Sequence, residues 1–547
     1  MAEPGHECVF TGLSAADGLA IGRIVIERTA RHGPRRAGSP ADEKEALNAA
    51  VARAAREIEA LAAQADELGA GILEFQGALL EDEDLMAEVL GRVAEGAAAH
   101  VAWASVIDGE VAEYRAGDDE YFRARAEDLL DLKARVLRHL HGAAADAPEK
   151  EAKDGILLAD DLTPSRFLEL DWSTWGGAAI RGGSPTSHVA ILARARGIPL
   201  VVGLHGQLDD RLGGKRAVLD ARAGRLVIAP SPDTMAAASD RLESLAADRR
   251  AWQDLIGRPA ITADGEPVQV LINVDDPSLL DGVSPAHCDG IGLTRTEFLF
   301  RDGRLPDEES QFAVYRRVVA WAAGRPVTIR TLDAGGDKPI PGITPHGESN
   351  PFLGERGVRL SLRRPDILTV QLRALARAAA LGPLKVMVPM VTVPEEMIRV
   401  RDLLNDAVGA LATAGVAHAR PALGMMVEVP AAALAAEGFD VDFFSIGSND
   451  LIQYLTASAR DNPAVAPLAD PRNPAVSEMI CRVVGAARAK GIHVSLCGDM
   501  ASNPALVPLL LDCGLRAMSV APAQVGGVKL AIHRYRGSEE GAAGRDG

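Results

Sequence analysis

One histidine stands in a setting that could bind and accept a phosphoryl group. His188 follows two glycines and a Thr-Ser pair in GGSPTSHVAILARARGIP, at the start of a predicted helix. Amides at a helix start attract phosphate, glycine lets the backbone approach it closely, and a neutral imidazole is a competent phosphoryl acceptor. A histidine at a helix N-terminus can equally be a capping or solvated residue. The segment alone leaves both interpretations open.

A second set of polar residues follows strand-like segments in the second half of the chain. It consists of Arg295 (GLTRTEFLF), Arg330 (TIRTLDAGGDK), Glu428 (MMVEVPAA), Asn449 and Asp450 (IGSNDL) and Cys497 (LCGDM). The arginines suit an anion, and the two carboxylates suit Mg²⁺, which takes few protein ligands. Taken singly, each arginine is typical of a surface salt bridge and each carboxylate of a solvated rim. Cys497 could be a small core residue or a proton-donating thiol. Their equivalent positions after strands favour one common site.

Eight strand-like segments after about residue 260 could place these groups at one end of a barrel. They are VQVLINV, GIGLTR, VTIRTL, KVMVP, LGMMVE, FFSIGS, HVSLCG and RAMSVA. The intervening stretches are long enough for one helix each, which predicts a (β/α)₈ barrel. Chemistry in such barrels lies on the loops at the C-terminal ends of the strands. No P-loop is present, since GGDK at 335–338 lacks its spacing and its Ser/Thr.

The first half of the chain predicts a small α/β unit interrupted by helices. Residues 8–28 indicate short strands, Asp42 to His141 indicates amphipathic helices, and 155–229 alternates apolar strands with glycine-rich turns and one helix. A polar, alanine-rich helix then suits a connection between domains. The predicted domains are 1–35 with 145–230 (α/β), 36–144 (inserted helical bundle), 231–258 (linker helix), 259–537 (barrel) and 538–547 (flexible tail). The predicted fold class is therefore multidomain α/β, with a swivelling α/β domain, an inserted bundle and a C-terminal barrel.

Composition limits the partners and the compartment. The 547 residues carry 58 Lys+Arg against 76 Asp+Glu, a formal charge of -18, so no broad basic face is available for nucleic acid or anionic lipid. The N-terminus lacks a signal-peptide pattern and no apolar run is long enough to span a bilayer, so a cytoplasmic location is expected. The five cysteines are scattered without a CxxC pair, which indicates neither a disulfide framework nor a zinc knuckle.

An ordered set of motifs resembles Enzyme I of the bacterial phosphotransferase system over nearly the whole chain. The matching stretches are LLEDEDL, LTPSRF, GGSPTSHVAILAR, GIGLTRTEFLF, TIRTLDAGGDK, NPFLGERGVR, VMVPM, MVEVPAA, DFFSIGSNDLIQY and CGDMA. This resemblance implies that His188 receives the phosphoryl group of phosphoenolpyruvate and that Cys497 protonates the resulting enolate. It further implies a set of ligands: Arg295, Arg330, Asn449, Asp450 and Arg460 for phosphoenolpyruvate, Arg356 and Lys338 as secondary contacts, and Glu428 and Asp450 for Mg²⁺.

The resemblance also implies partners. The α/β unit would swing between the barrel and the helical domain, where the carrier HPr accepts the phosphoryl group, and pyruvate would be released. A homodimer through the barrel is expected from the same resemblance. The acidic run from Glu81 to Asp84 fits steering of a basic patch on HPr, or a merely solvated helix face.

Three positions depart from the usual pattern, and two other functions remain open. Ser448 stands where Thr is common, Asp499 where Glu is usual, and Ala459 where Asp is common before Arg460. A pyruvate, phosphate dikinase or phosphoenolpyruvate synthase would also need a nucleotide-binding domain, for which the chain has no room. A silent scaffold that binds phosphoenolpyruvate or a carrier should have lost the histidine or a ligand, and the key residue types are present.

Overall fold

The chain folds into two compact units, residues 1–245 and 246–547. The computed structural model describes residues 7–27, 37–63, 67–116, 120–142, 154–185, 187–206, 210–303, 305–336, 338–345, 347–459, 462 and 464–537. The tail predicted at 538–547 lies outside these residues.

The first unit contains an eight-stranded sheet in the order β1-β8-β7-β3-β4-β5-β6-β2. The strands are β1 (Cys8–Thr11), β2 (Leu13–Ala16), β3 (Leu19–Ile26), β4 (Gly155–Ala159), β5 (Trp175–Ile180), β6 (Leu200–Val202), β7 (Arg216–Asp220) and β8 (Arg225–Ile228). β3 pairs in parallel with β4, although the whole helical stretch separates them in sequence. The N-terminal strands therefore share one sheet with the segment that follows the helices.

Within the described part of the chain, five helices form a bundle between β3 and β4. They are α1 (Pro40–Ala62), α2 (Glu67–Leu80), α3 (Glu83–Ala94), α4 (Ala99–Ala116) and α5 (Glu120–Leu140). α1 begins with a capping box, in which Ser39 and Asp42 bond each other's backbone amides. The bundle core includes fully buried Leu47, Trp103 and Leu129. Two shorter helices, α6 (Pro164–Glu169) and α7 (His188–Arg196), contribute side chains to a core on the sheet.

The second unit is a closed barrel, as the spacing of the strands predicts. Its parallel strands are β10 (Pro267–Val274), β11 (Ile291–Thr294), β12 (Val327–Arg330), β13 (Leu384–Val388), β14 (Ala422–Val427), β15 (Phe443–Gly447), β16 (His493–Cys497) and β17 (Ala517–Val520). β10 pairs in parallel with both β11 and β17, and this pairing closes the barrel. The short β9 (Ala260–Ile261) adds an antiparallel strand beside β10. The predicted fold class is confirmed.

One long helix, α8 (Pro232–Leu255), crosses the boundary between the two units. The remaining helices are α9 (Glu308–Trp321), α10 (Val358–Arg363), α11 (Pro365–Ala379), α12 (Pro394–Thr413), α13 (Pro430–Leu434), α14 (Ser448–Thr456), α15 (Pro474–Lys490), α16 (Asp499–Ser502), α17 (Val507–Asp512) and α18 (Val525–Arg534). Near its end, α8 packs against α18 so closely that a Cβ on Gly526 would lie 2.2 Å from the Trp252 ring. A glycine is required at this contact.

The cysteine pattern is the point on which the sequence interpretation is wrong. The structure bonds Cys481 of α15 to Cys513, which follows α17, while the other three cysteines, Cys8, Cys288 and Cys497, form no disulfide among the described residues. Spacing along the chain gave no sign of this pair, because the fold brings the two residues together. Among the described residues, no helix is both long and apolar enough to cross a membrane.

Candidate active site

His188 is the first residue of α7, as the sequence predicts. The side chain of Ser187 caps the helix by accepting a hydrogen bond from the Ala190 amide at 3.3 Å, and Gly197, with φ of 66°, ends it. The His188 side chain is 15% exposed. The ring therefore sits at a fixed helix start with a limited opening to solvent.

A buried carboxylate holds one nitrogen of this ring. Oδ1 of Asp128 on α5 lies 3.0 Å from Nδ1 of His188, and its Oδ2 accepts from Arg125 at 3.0 Å. A carboxylate at Nδ1 favours the tautomer with the proton on Nδ1, which leaves the lone pair on Nε2. No described residue bonds Nε2. The geometry thus prepares Nε2 as a nucleophile.

Asp128 is held by contacts one turn further along the same helix. Asp131 accepts from the Ser165 amide at 2.9 Å, from the Ser165 hydroxyl, and from Nε2 of Gln76 at 3.1 Å. These groups are buried, so loss of any of the bonds would leave an unpaired polar atom. The network fixes α5 against α2 and α6, and so places Asp128 beside the histidine. Sequence reasoning missed Asp128, which is far from His188 along the chain.

In the barrel unit, the predicted residues gather at one end because the strands are parallel. Arg295 and Glu428 directly follow β11 and β14, and Arg330 and Cys497 end β12 and β16. Asn449 and Asp450 lie in the first turn of α14, directly after β15. All six residues therefore lie at the C-terminal end of the barrel. Arg460 lies outside the described residues.

Glu297 and Asp333, which the sequence analysis did not single out, form ion pairs with the cationic side chains at the barrel end. Arg330 is buried, with Nη2 3.1 Å from Glu297 and Nη1 3.1 Å from Asp333. Asp333 also lies 3.0 Å from Arg356 and 3.9 Å from Lys338. These three cations hold the pKa of Asp333 well below its usual range despite its burial. Both acids lie in motifs quoted above, but nothing in the motifs marks them as partners of Arg330.

Arg356 is fully buried, and each of its guanidinium nitrogens has a protein partner. Nε and Nη2 bond Asp333, and Nη1 bonds Oδ1 of Asp450 and the Tyr454 hydroxyl, both at 3.2 Å. Arg356 therefore acts as a positioning residue that joins Asp333 to Asp450. Its predicted contact with substrate stays a prediction.

Several polar atoms around the barrel end make no hydrogen bond with any other described residue. Among the described residues, the buried Nε atom of Arg330 and the hydroxyls of Thr294 and Thr331 make no hydrogen bond, and the Nε atom of Arg295 has only an ion-pair contact, 3.2 Å from Oδ1 of Asp275. Buried polar atoms are normally paired. These four atoms belong to the ends of two neighbouring strands, β11 and β12, and are suited to the oxygens of an anionic ligand.

Glu428 is buried near other carboxylates, and its charge lacks full compensation. Oε1 accepts from the Met390 amide at 2.7 Å. Burial, followed by Asp450 and Asp333, raises the pKa of Glu428 to about 8. A divalent cation would relieve this repulsion, and Mg²⁺ commonly takes one or two carboxylates and completes its shell with water and substrate oxygens. The residues present therefore fit Mg²⁺. No group of three or more metal-ligating side chains is found among the described residues.

This shift predicts a pH-dependent stability of the metal-free protein. Folded Glu428 keeps a proton up to about pH 8, whereas the unfolded residue releases it near the ordinary glutamate pKa of 4.5. Its contribution to the free energy of unfolding therefore falls as pH rises through this window. Thermal unfolding in chelator should show this loss, and Mg²⁺ should raise the melting temperature more at pH 8 than at pH 5.5.

The control for this prediction is Glu428→Gln, which is isosteric and does not titrate. We expect it to reduce both the pH dependence between about 4.5 and 8 and the response to Mg²⁺. An unchanged Mg²⁺ response in Glu428→Gln would contradict the assignment of this residue to the metal.

Cys497 is a buried thiol whose proton is firmly held. Its Sγ donates to the Ile446 carbonyl at 3.5 Å and accepts from the Ser445 hydroxyl at 3.8 Å. Burial raises the pKa of Cys497 to about 11, so it is a thiol at neutral pH. A neutral thiol at the barrel end can act as a proton donor.

Two of the departures from the usual motif have partners at this site. Ser448 donates to the Cys497 carbonyl at 2.8 Å, which ties α14 to the end of β16. Two hydrogen bonds join Asn449 to Asp499. The Asn449 side-chain nitrogen donates to the Asp499 carboxylate at 3.2 Å, and the Asp499 backbone amide donates to the Asn449 side-chain oxygen at 3.0 Å. The smaller Ser and Asp residues therefore still connect the strand-end loops.

Comparison with known proteins covers both units. The models of three domains of PEP-utilising enzymes match: the N-terminal domain at residues 11–125, the mobile domain at 151–224 and the PEP-binding domain at 249–536. A phosphoenolpyruvate-protein phosphotransferase of Geobacillus stearothermophilus is 38% identical over 542 residues, 96% of this chain and 94% of that protein. The chain belongs to the phosphoenolpyruvate-protein phosphotransferase (Enzyme I) family.

A second relative agrees with this membership. An Enzyme I family member of Bacillus subtilis, named phosphoenolpyruvate-protein phosphotransferase, is 35% identical over 526 residues, 94% of this chain and 92% of that protein. The solved N-terminal domain of "Enzyme 1 - Nitrogen" is 30% identical, covers 43% of this chain and 99% of its own, and has a TM-score of 0.32. The predicted resemblance to the Enzyme I family is confirmed.

Proposed function

We propose that this protein transfers the phosphoryl group of phosphoenolpyruvate to Nε2 of His188, releases pyruvate, and passes the phosphoryl group to a histidine of HPr. This reaction would drive sugar uptake and phosphorylation. Relatives named phosphoenolpyruvate-protein phosphotransferase, matched over nearly the full chain, support this function. The observation that carries the proposal is the bond between Asp128 and Nδ1 of His188, because it leaves Nε2 as the only ring nitrogen with a free lone pair.

The barrel end would bind phosphoenolpyruvate by its charges. The unpartnered Nε atom of Arg330 and the guanidinium of Arg295, whose Nε lies 3.2 Å from Asp275, would donate to phosphate or carboxylate oxygens, with Lys338, Asn449 and Arg460 as further ligands. Glu428 and Asp450 would hold Mg²⁺, which when bound offsets negative charge on the substrate's oxygens. Phosphoryl transfer depends mainly on such positioning and charge stabilisation. Asp333 and Glu297 fix Arg330 in place before the substrate binds.

Cys497 would complete the reaction at carbon. When the phosphorus–oxygen bond breaks, the enolate of pyruvate keeps the electron pair, and its methylene carbon must gain a proton. The Cys497 thiol can donate this proton because it is uncharged at neutral pH. Ketonisation then favours the forward direction of transfer.

The acceptor histidine and the barrel residues belong to different units, so the proposed transfer requires the His188 ring to reach the barrel end. Helix α8 connects them and would accommodate a swivelling motion. Phosphorylated His188 would then transfer its phosphoryl group to HPr at the helical bundle.

An acidic surface on the bundle supports docking of a basic carrier. Burial, together with Glu113, Glu88 and Asp82, raises the pKa of Glu110, which shows a concentration of negative charge on α3 and α4. Within the acidic run, Asp82 also caps α3 by accepting from the Leu85 amide at 2.9 Å. The acidic run therefore stabilises the start of α3 in addition to its proposed role in steering HPr.

We further propose that the protein is cytoplasmic and forms a homodimer through the barrel. Light scattering at micromolar concentration would test the dimer, and a monomer mass would contradict it.

Asp128→Asn is expected to slow phosphorylation of His188 about 10- to 100-fold. The amide can still meet the ring, but it no longer favours the Nδ1-protonated tautomer or stabilises positive charge on the ring during transfer. Rapid-quench measurement of label on the protein would give the rate. The matched control is Asp160→Asn, whose exposed carboxylate pairs with Arg181 on the same unit and should leave the rate unchanged. An Asp128→Asn rate equal to wild type would contradict the role of Asp128.

The function itself is tested by incubating the purified protein with Mg²⁺, phosphoenolpyruvate and HPr in the absence of nucleotide. One pyruvate should be released for each phosphorylated HPr. A requirement for nucleotide would favour a dikinase, and binding of phosphoenolpyruvate without pyruvate release would favour a silent scaffold.

A further inference from the structure

Two cysteines that take no part in the proposed reaction lie side by side on the barrel unit. Cys481 lies in the middle of α15 and Cys513 directly follows α17, and their sulfurs are bonded with the Cα atoms 4.6 Å apart. Such a Cα separation is within the range that a disulfide spans without backbone movement. Cys481 is exposed and Cys513 is half-buried. A small thiol or disulfide in solution can therefore reach the pair.

The pair encloses the strand that carries the predicted proton donor. α15 precedes β16 and α17 follows it, and the bond closes a loop of sequence separation 32 that contains Cys497. β16 pairs with β15 along its whole length, from His493 to Cys497. A bond between the two flanking helices restricts how far this segment can open.

The reduced pair also fits the structure. Sγ of Cys513 lies 3.5 Å from the carbonyl oxygen of Ser477, one turn before Cys481 on α15, so a thiol there has an acceptor. Breaking the disulfide would thus leave no unpaired buried group, since the other thiol is exposed. Exposed disulfides that can be broken without disturbing a core are typical of labile rather than structural bonds.

We propose that Cys481 and Cys513 form a reversible thiol–disulfide site, which exchanges with low-molecular-weight disulfides of the glutathione class and in its oxidised form clamps α15 and α17 around β16. In oxidation, the Cys481 thiolate attacks the small disulfide, forms a mixed disulfide and releases one small thiolate. The Cys513 thiolate then attacks the Cys481 sulfur and releases the second. The two protons lost by the protein end on the two small thiols, and reduction is the reverse.

The test equilibrates the full-length protein with defined ratios of reduced and oxidised glutathione. Free thiols are then alkylated and mapped by mass spectrometry. As the share of oxidised glutathione rises, Cys481 and Cys513 should change together from alkylated thiols to a disulfide. Buried Cys288 should not change its redox state. Hydrogen exchange over residues 491–520 should be at least about fivefold slower in the linked form, and the barrel should melt roughly 5 °C higher.

Two variants separate this site from general oxidation. Cys513→Ser should remove the redox dependence of exchange and melting, and Cys288→Ser should retain it. The proposal is overturned if the pair stays linked in excess reduced glutathione, if both thiols stay alkylatable in excess oxidised glutathione, or if linking leaves the exchange of 491–520 unchanged.

Discussion

His188→Ala should abolish phosphorylation by phosphoenolpyruvate, with a loss of at least about 10³-fold in labelled protein formed per unit time. The imidazole is the covalent acceptor, and alanine offers no nucleophile in its place. Asp128 cannot substitute, because its carboxylate is buried and already bonded to Arg125. The variant should fold, since His188 is a helix-start residue and alanine is a good helix former.

The matched control for His188→Ala is His205→Ala. His205 is an exposed histidine of the same unit whose backbone amide, not its ring, bonds the Thr11 carbonyl at 2.9 Å. The His205→Ala protein should be labelled at the wild-type rate. Labelling of His188→Ala at more than a few per cent of that rate would show that another residue accepts the phosphoryl group.

Arg330→Gln should lower the rate of pyruvate release by about 10³-fold. The change removes a buried positive charge at the ends of β11 and β12, where the unpartnered Nε of Arg330 and the hydroxyls of Thr294 and Thr331 lie and where we place the anionic substrate. It also leaves Glu297 and Asp333 without one cation, so phosphoenolpyruvate would meet net negative charge. The measurement is steady-state pyruvate release with saturating Mg²⁺ and HPr.

Because Arg330 is buried, Arg330→Gln needs controls for folding and for charge. Circular dichroism and thermal melting report whether the barrel remains intact. Arg317→Gln removes an exposed barrel arginine that pairs with Asp281 at 2.9 Å, and it should keep wild-type pyruvate release. A folded Arg330→Gln protein within tenfold of wild-type activity would refute a direct role for Arg330 in binding the substrate.

The sequence was most informative where local pattern determines structure. The eight strands could be predicted because short β-branched runs recur with helix-length spacing, and parallel strands necessarily bring their C-terminal ends together. That rule was enough to group Arg295, Arg330, Glu428 and Cys497, as the structure does.

The partners of these residues could not be predicted in the same way. Asp128 reaches His188 only because a helix inserted between β3 and β4 packs beside α7, and this depends on tertiary packing. Asp333 acquires its importance from three cations: Arg330 and Lys338 belong to its own segment, and the fold adds Arg356 from a later one. The Cys481–Cys513 bond likewise follows from the packing of α15 near the end of α17.

The most direct test is to identify the atom that carries phosphate. Wild-type protein is incubated with Mg²⁺ and phosphoenolpyruvate, without nucleotide, and examined by peptide mapping and by ³¹P and ¹⁵N NMR. Phosphate on Nε2 of His188 that disappears when HPr is added is the predicted result. Phosphate on another residue or on Nδ1, or none at all, would contradict the proposed reaction.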